Sequence, residues 1–195
     1  MATRAAPPDV GNHAAEPGCR AVLERSLRGF TGAGYDKGRP PFVQAAWFAV
    51  LNLVFVKWWF PARWRPAVLR VFGARIGRRV RIRRGVRVHW PWRLDVGDDV
   101  WIGEGAWLLN LEQITIGSDV CVSQGALLCT GSHQHRSPTF EFDNGPIRLE
   151  PGSWVAARAV VLRGVTVGRG AVVGASAVAH RDVTPGAVVM AGAAA

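Results

Sequence analysis

The sequence predicts a mainly β fold, a left-handed parallel β-helix of about five coils behind an N-terminal helical segment. Three observations predict it. From Ile76 onward every sixth position is aliphatic, in five groups of three. The groups are Ile76, Ile82, Val88; Val96, Ile102, Leu108; Ile116, Val122, Leu128; Leu149, Val155, Val161; and Val167, Val173, Ala179. Four residues after most of these stands a second small or β-branched side chain, from Val80 and Val86 through Ser132 to Ala177 and Val183, with Trp92 and Glu112 as exceptions. Glycine directly follows the aliphatic at Gly77, Gly97, Gly103, Gly117, Gly168 and Gly174. A triangular solenoid explains the period. One short strand forms each face, one turn each corner, and the prism holds one large aliphatic per face per coil. The next inward site lies near a corner and must be smaller. A coil buries its faces only against its neighbours, so several are required.

The elements follow in chain order. Residues 1–33 read as a mobile N-terminal tail rich in Ala, Pro and charge, with no apolar signal core and cleavage site. Residues 34–73 read as a helical apolar segment. Within it, residues 42–56 carry no charge, and Lys57, Trp58, Trp59 and Phe60 lead to a stop at Pro61. The run is shorter than the roughly 20 residues of a spanning helix. Three readings of it stay open: a cap on the end of the β-helix, a packing surface between subunits, or a membrane-interface element flanked by Trp58, Trp59, Arg63, Trp64 and Arg65. A second short helix is predicted over 65–72, with Pro66 in its first turn and Gly73 at its end. Residues 74–195 form the β-helix.

The phase shifts locate a candidate site. Val88 to Val96 and Leu108 to Ile116 each span six residues plus two, and Leu128 to Leu149 spans six plus fifteen. All three insertions follow the third strand of a coil, so they stack on one ridge of the prism. Irregularity gathered on one ridge marks function. The longest insertion, residues 131–146, reads GSHQHRSPTFEFDNGP and holds His133 and His135. An imidazole titrates near neutrality and can act as a general base.

These residues resemble the hexapeptide-repeat acyltransferases. Leu128-Cys-Thr-Gly-Ser-His-Gln-His-Arg-Ser-Pro138, Trp90-Pro-Trp-Arg-Leu94, Val122-Ser-Gln124 and the apolar stretch before Phe72-Gly-Ala-Arg-Ile-Gly77 are similar to the colanic acid biosynthesis acetyltransferase branch. The resemblance covers residues 34–189. It implies an acetyl-CoA-dependent O-acetyltransferase, a homotrimer with sites between neighbouring prisms, and His133 as the base that takes a proton from a sugar hydroxyl. It also implies that the backbone N–H of Ala157 faces the thioester oxyanion, that Ala175 meets the pantetheine, and that His180 and Arg181 lie towards CoA. His180 stands where the family has a hydroxyl residue, and Arg181 reads equally as a solvated turn arginine. Asn110 and His135 are candidate contacts for the acceptor, Asn110 reading equally as a turn residue. The family usually continues with Gly-Asn-Pro-Ala and a basic tail, whereas this sequence ends Gly192-Ala-Ala-Ala195, so contacts to the adenosine end of CoA are absent or supplied otherwise.

Composition limits the alternatives. The net charge is +10, almost wholly from arginine. It fits a solvated basic surface, CoA phosphates or an anionic lipid surface; no nucleic-acid-binding motif accompanies it. Cys19, Cys121 and Cys129 form no CxxC pair and read as reduced thiols of a cytosolic protein, two of them buried in the β-helix. A zinc site like that of γ-class carbonic anhydrases requires three protein ligands, and the two loop histidines have no third at an equivalent position. No metal is expected. Another acyl-CoA, an amine or lipid acceptor, and a non-catalytic scaffold remain open as alternatives.

Overall fold

The structure, a computed structural model, describes residues 26–192. Sixteen short strands wind into a parallel prism whose three faces are continuous sheets. Face A contains β1 (Arg75–Ile76), β4 (Leu94–Val96), β7 (Ile114–Ile116), β10 (Ile147–Leu149) and β13 (Thr166–Val167). Face B contains β2 (Arg81–Ile82), β5 (Trp101–Ile102), β8 (Cys121–Val122), β11 (Trp154–Val155), β14 (Val172–Val173) and β16 (Val188–Val189). Face C contains β3 (Arg87–Val88), β6 (Trp107–Leu109), β9 (Leu127–Cys129), β12 (Val160–Leu162) and β15 (Val178–Ala179). Five coils are complete and a sixth is begun, which extends the predicted solenoid by a partial turn.

The register is the one the period dictates. Ile76 pairs Val96, Val96 pairs Ile116, Ile116 pairs Leu149, and Leu149 pairs Val167. All fifteen aliphatics are buried, Val122 and Val155 completely. A fully buried valine is stabilised by roughly 1.5–3 kcal/mol relative to exposure. The expected corner sites are also buried, except Val80 in the first coil, which is half-buried, and the corners where chain is inserted. There Trp92, Glu112 and Ser132 stay outside, and Leu94, Ile114 and Ile147 fill the corner from the following strand. Strand alternation fixes the residue two before each aliphatic as inward, whatever length of chain precedes it. Val183, expected as a corner site, instead pairs with Val167 and opens the sixth coil.

Glycine after the aliphatic reflects close approach between coils. A Cβ on Gly103 would sit 2.4 Å from the backbone nitrogen of Gln124 in the next coil. Two cysteines differ from expectation. Cys121 and Cys129 are half-buried, because each neighbours an inward residue and so points outward. Cys19 lies outside the described residues.

The segment before the solenoid caps its open end. Helix α1 (Pro41–Val50) runs into a π-helical turn over Leu51–Phe55, and α2 (Arg65–Val71) follows. Pro66 begins α2, and Gly73 ends it at φ 95°, a conformation costly for a side-chain-bearing residue. Trp47, Phe55 and Leu69 are buried with the first coil in one core. The Trp47 indole N–H donates to the carbonyls of Val88 (3.1 Å) and His89 (2.9 Å), pairing acceptors at the prism mouth. The buried Arg65 guanidinium donates to the carbonyls of Phe55 and Lys57, satisfying the end of the π turn. Capping is thus one job of this segment. Its outer side leaves Phe42, Phe48, Leu53, Trp58, Trp59 and Trp64 exposed.

Candidate active site

All three insertions leave from the ridge between faces C and A. The first two are corners tied from inside. Asn110 is fully buried. Its Oδ1 accepts the N–H groups of His89 (2.9 Å) and Trp90 (3.0 Å), and its Nδ2 donates to the carbonyls of Trp90 and Arg93. With its amide consumed by four backbone groups and no exposed surface, Asn110 fastens the first insertion and offers nothing to an acceptor; this corrects its assignment as a substrate contact. One coil on, the buried Thr130 hydroxyl donates to the Leu109 carbonyl (2.9 Å) and accepts the Glu112 N–H (2.9 Å), fastening the second.

The long loop is held at both ends and folded on itself. Gly145 N–H donates to Thr130 O, Ser132 N–H to the Asn144 side chain, and Asp143 pairs with Arg163 of the next coil. Between these ties, His133 and Phe142 form an antiparallel bridge. The imidazole lies parallel to the Phe140 ring (4.3 Å between centroids, 5°) and stacks on Phe142 (5.2 Å, 24°). Its Nδ1 stands 2.9 Å from the Phe140 carbonyl oxygen. A carbonyl only accepts, so Nδ1 carries the proton in this bond, and in the neutral ring Nε2 keeps its lone pair. Phe140 itself has φ 55°, an unfavourable conformation for an aromatic residue that turns its carbonyl into this position. His135 is exposed two residues further along the same loop.

Below the loop base, Gly131, Ser132, Leu162, Arg163 and His180 line an open cavity of about 210 Å³. His180 follows β15 and Leu162 ends β12, so this cleft runs down the C–A ridge over the next two coils. Arg181 is exposed beside it. Among the described residues no group of three or more His, Cys, Asp or Glu is placed to hold a metal ion.

Ala157 and Ala175 lie elsewhere. They stand at the corners after β11 and β14, on the ridge between faces B and C, stacked by a 2.9 Å bond from Ser176 N–H to the Ala157 carbonyl. The Ala157 N–H has no acceptor among the described residues. One prism therefore places His133, His180 and Arg181 along the C–A ridge and Ala157 and Ala175 on the B–C ridge, across face C from them.

Sequence reasoning missed the contacts around the loop. Phe30 packs edge-on against His133 and Phe142, and Glu141 accepts hydrogen bonds from Thr31 and Gly32. The described part of the expected tail, residues 26–33, thus rests on the loop.

No family model matches the chain. The chain is 41% identical over 152 residues to WcaF of Escherichia coli (strain K12), provisionally named a colanic acid biosynthesis acetyltransferase, covering 76% of this chain and 82% of that protein. Among solved structures, a hexapeptide-repeat-containing acetyltransferase of Vibrio cholerae O1 biovar eltor, complexed with acetyl-coenzyme A, superposes with a TM-score of 0.67 at 22% identity, over 83% of this chain and 90% of that one. A galactoside acetyltransferase in complex with coenzyme A gives a TM-score of 0.68 at 17% identity, over 77% and 80%. At these identities the structural likenesses establish the shared fold.

Proposed function

The chain belongs to the hexapeptide-repeat acetyltransferases, on the branch of the WcaF protein, and from that premise we propose that it moves acetyl from acetyl-CoA to a sugar hydroxyl during synthesis of an exopolysaccharide or cell-surface glycan. The observation that carries this reading is the His133 ring, whose Nδ1 is engaged by the Phe140 carbonyl at 2.9 Å while Nε2 is left to take a proton. The sugar hydroxyl gives its proton to Nε2 as its oxygen attacks the thioester carbonyl. The resulting oxyanion accepts the Ala157 N–H. Collapse breaks the C–S bond, and the imidazolium returns the proton to the departing thiolate. A placed base contributes about 10²–10⁴-fold, and a preorganised oxyanion donor adds to it.

The mechanism requires His133 and Ala157 to face one another, yet within one chain they occupy different ridges. A homotrimer meets the requirement by setting the B–C ridge of one copy against the C–A ridge of the next. Acetyl-CoA then lies between copies, along Ala175 and the cleft with His180 and Arg181, while His135 reaches towards the acceptor.

We place the enzyme in the cytoplasm, against the inner face of the membrane, where a lipid-linked acceptor would present its sugar. The exposed Phe42, Phe48, Leu53, Trp58, Trp59 and Trp64 support this. So does the charge: residues 37–94 contain 14 Lys and Arg and no Asp or Glu. Exposed aromatic and aliphatic groups among cations suit an anionic interface. No helix of the described residues is long and apolar enough to cross a membrane. Flotation with vesicles containing or lacking anionic lipid checks this placement; binding lost in Trp58→Ser/Trp59→Ser is expected, and no binding by the unaltered chain removes it.

The deciding experiment measures CoA release from acetyl-CoA against a panel of nucleotide-linked and lipid-linked sugars, followed by product analysis for an O-acetyl ester. Turnover with a sugar and its loss in His133→Ala are expected. Transfer only to an amine, or none to any member of the panel, overturns the reading.

A further inference from the structure

Residues 26–35 lie across the His133 loop from outside the solenoid. Thr31 gives Glu141 Oε1 two hydrogen bonds, from its N–H and its hydroxyl, both 2.9 Å. The Gly32 N–H donates to Oε2 at 3.0 Å. Upstream, the Ser26 N–H donates to the Pro138 carbonyl (3.2 Å). Downstream, the Tyr35 hydroxyl accepts the Trp90 indole N–H (2.6 Å), which anchors the segment to the first inserted corner. The Thr31 and Gly32 bonds hold the Glu141 carboxyl below the usual carboxylate range, the Thr31 backbone bond being the largest cause.

The bonds place Phe30. Its ring meets Phe142 edge-on (5.2 Å, 82°) and His133 edge-on (5.7 Å, 65°). Phe140 and Phe142 bracket the imidazole faces, and Phe30 closes one edge of that stack. The loop's own backbone bonds, such as Gln134 N–H to Glu141 O at 2.8 Å, join its two arms but do not reach the first inserted corner. Through Tyr35 and Trp90 the crossing segment does.

We infer that residues 26–35 are a strap that sets the orientation of the His133 imidazole, with Glu141 as its latch and Phe30 as the group that bears on the ring. Glu141, Phe30 and Thr31 are positioning residues in this assignment. It rests on the reading of His133 as the catalytic base and extends it to a segment outside the repeat. Tethering matters because a reacting group misplaced by about 1 Å can lose on the order of 10²-fold in rate.

The test compares Glu141→Gln, Phe30→Ala and the double variant with the unaltered chain, and Thr31→Val with Thr31→Ser. Amide hydrogen exchange over residues 131–146 and the 15N signals of the His133 ring read the loop without any turnover. Exchange about 10-fold faster there is expected in both single variants, with the β-helix strands unchanged. kcat for acetyl transfer is expected to fall about 10-fold, KM for acetyl-CoA to stay within about twofold, and the double variant to be no worse than the worse single one. Thr31→Ser should behave as the unaltered chain and Thr31→Val as a weakened latch. Unchanged loop exchange in both single variants overturns the strap. Faster exchange with unchanged kcat overturns its role in positioning and leaves a purely structural tie. If the unaltered chain transfers no acetyl at all, the enzymatic reading fails, while the loop amides and ring signals still decide the strap.

Discussion

The C–A and B–C ridges of this prism are made from the same six-residue unit, yet one accumulates chain and the other excludes it. On the C–A ridge the corners carry two, two and fifteen extra residues in successive coils. Each inserted corner is fastened by a side chain, Asn110, Thr130 or Asn144, that satisfies backbone groups the solenoid ladder cannot reach. On the B–C ridge the corners are uniform, and at Gly103 they press so close that a Cβ would meet the next coil's backbone nitrogen at 2.4 Å. The difference teaches that a solenoid gains a site by relaxing one corner while the other corners keep the coils in register. It also explains why His133 and Ala157 do not meet in a single chain.

The sharpest test of this contrast is chemical. His133→Ala is expected to lower kcat/KM by about 10²–10⁴-fold with the melting temperature little changed. His135→Ala should be milder, and a reversal of that order would move the base along the loop. Next comes a structural pair. Gly103→Val on the crowded ridge is expected to cost more than about 3 kcal/mol in chemical denaturation. Two glycines inserted after Arg163, at the C–A corner that carries no insertion, are expected to cost about 1 kcal/mol or less. Equal costs would erase the distinction between the ridges. Asn110→Ala removes four hydrogen bonds from half-buried backbone groups and is expected to lose about 2–3 kcal/mol of stability. KM for the acceptor should not change; a rise in KM without destabilisation would restore Asn110 as a substrate contact.

The smallest effect is pH-dependent. Burial, and then the charge of Lys37, hold His89 below the usual histidine range. Its neutral form is favoured in the folded chain, so its contribution is complete above the unfolded value of about 6.5 and is lost as pH falls through the lower folded value. Thermal melts at pH 8 and pH 5 should therefore differ more for the unaltered chain than for His89→Phe. An equal difference in both would show that other groups carry the dependence.

Much of the prism was legible because its interior admits one large aliphatic per face per coil, and that demand is written every six residues from Ile76 to Ala179. The ridge of insertions was legible from the same count. As small apolar residues Cys121 and Cys129 read as buried, whereas alternation beside Val122 and Leu128 points their thiols outward. A fixed four-residue offset fails wherever chain is inserted: it counts Ser132 as a corner site and breaks at Trp92 and Glu112, where Ile147, Leu94 and Ile114 in turn fill the corners.

The sequence by itself determined the period, the three faces, the loop that carries His133 and the apolar segment ahead of the first coil, since each depends on residues near one another along the chain. Only the tertiary structure decided what Asn110 binds, which carbonyl fixes the His133 tautomer, and that Thr31 meets Glu141 across 110 residues. Those outcomes depend on which backbone groups remain unpaired once the coils are stacked, and a polar side chain gives no local sign of a partner that folding brings to it from so far away.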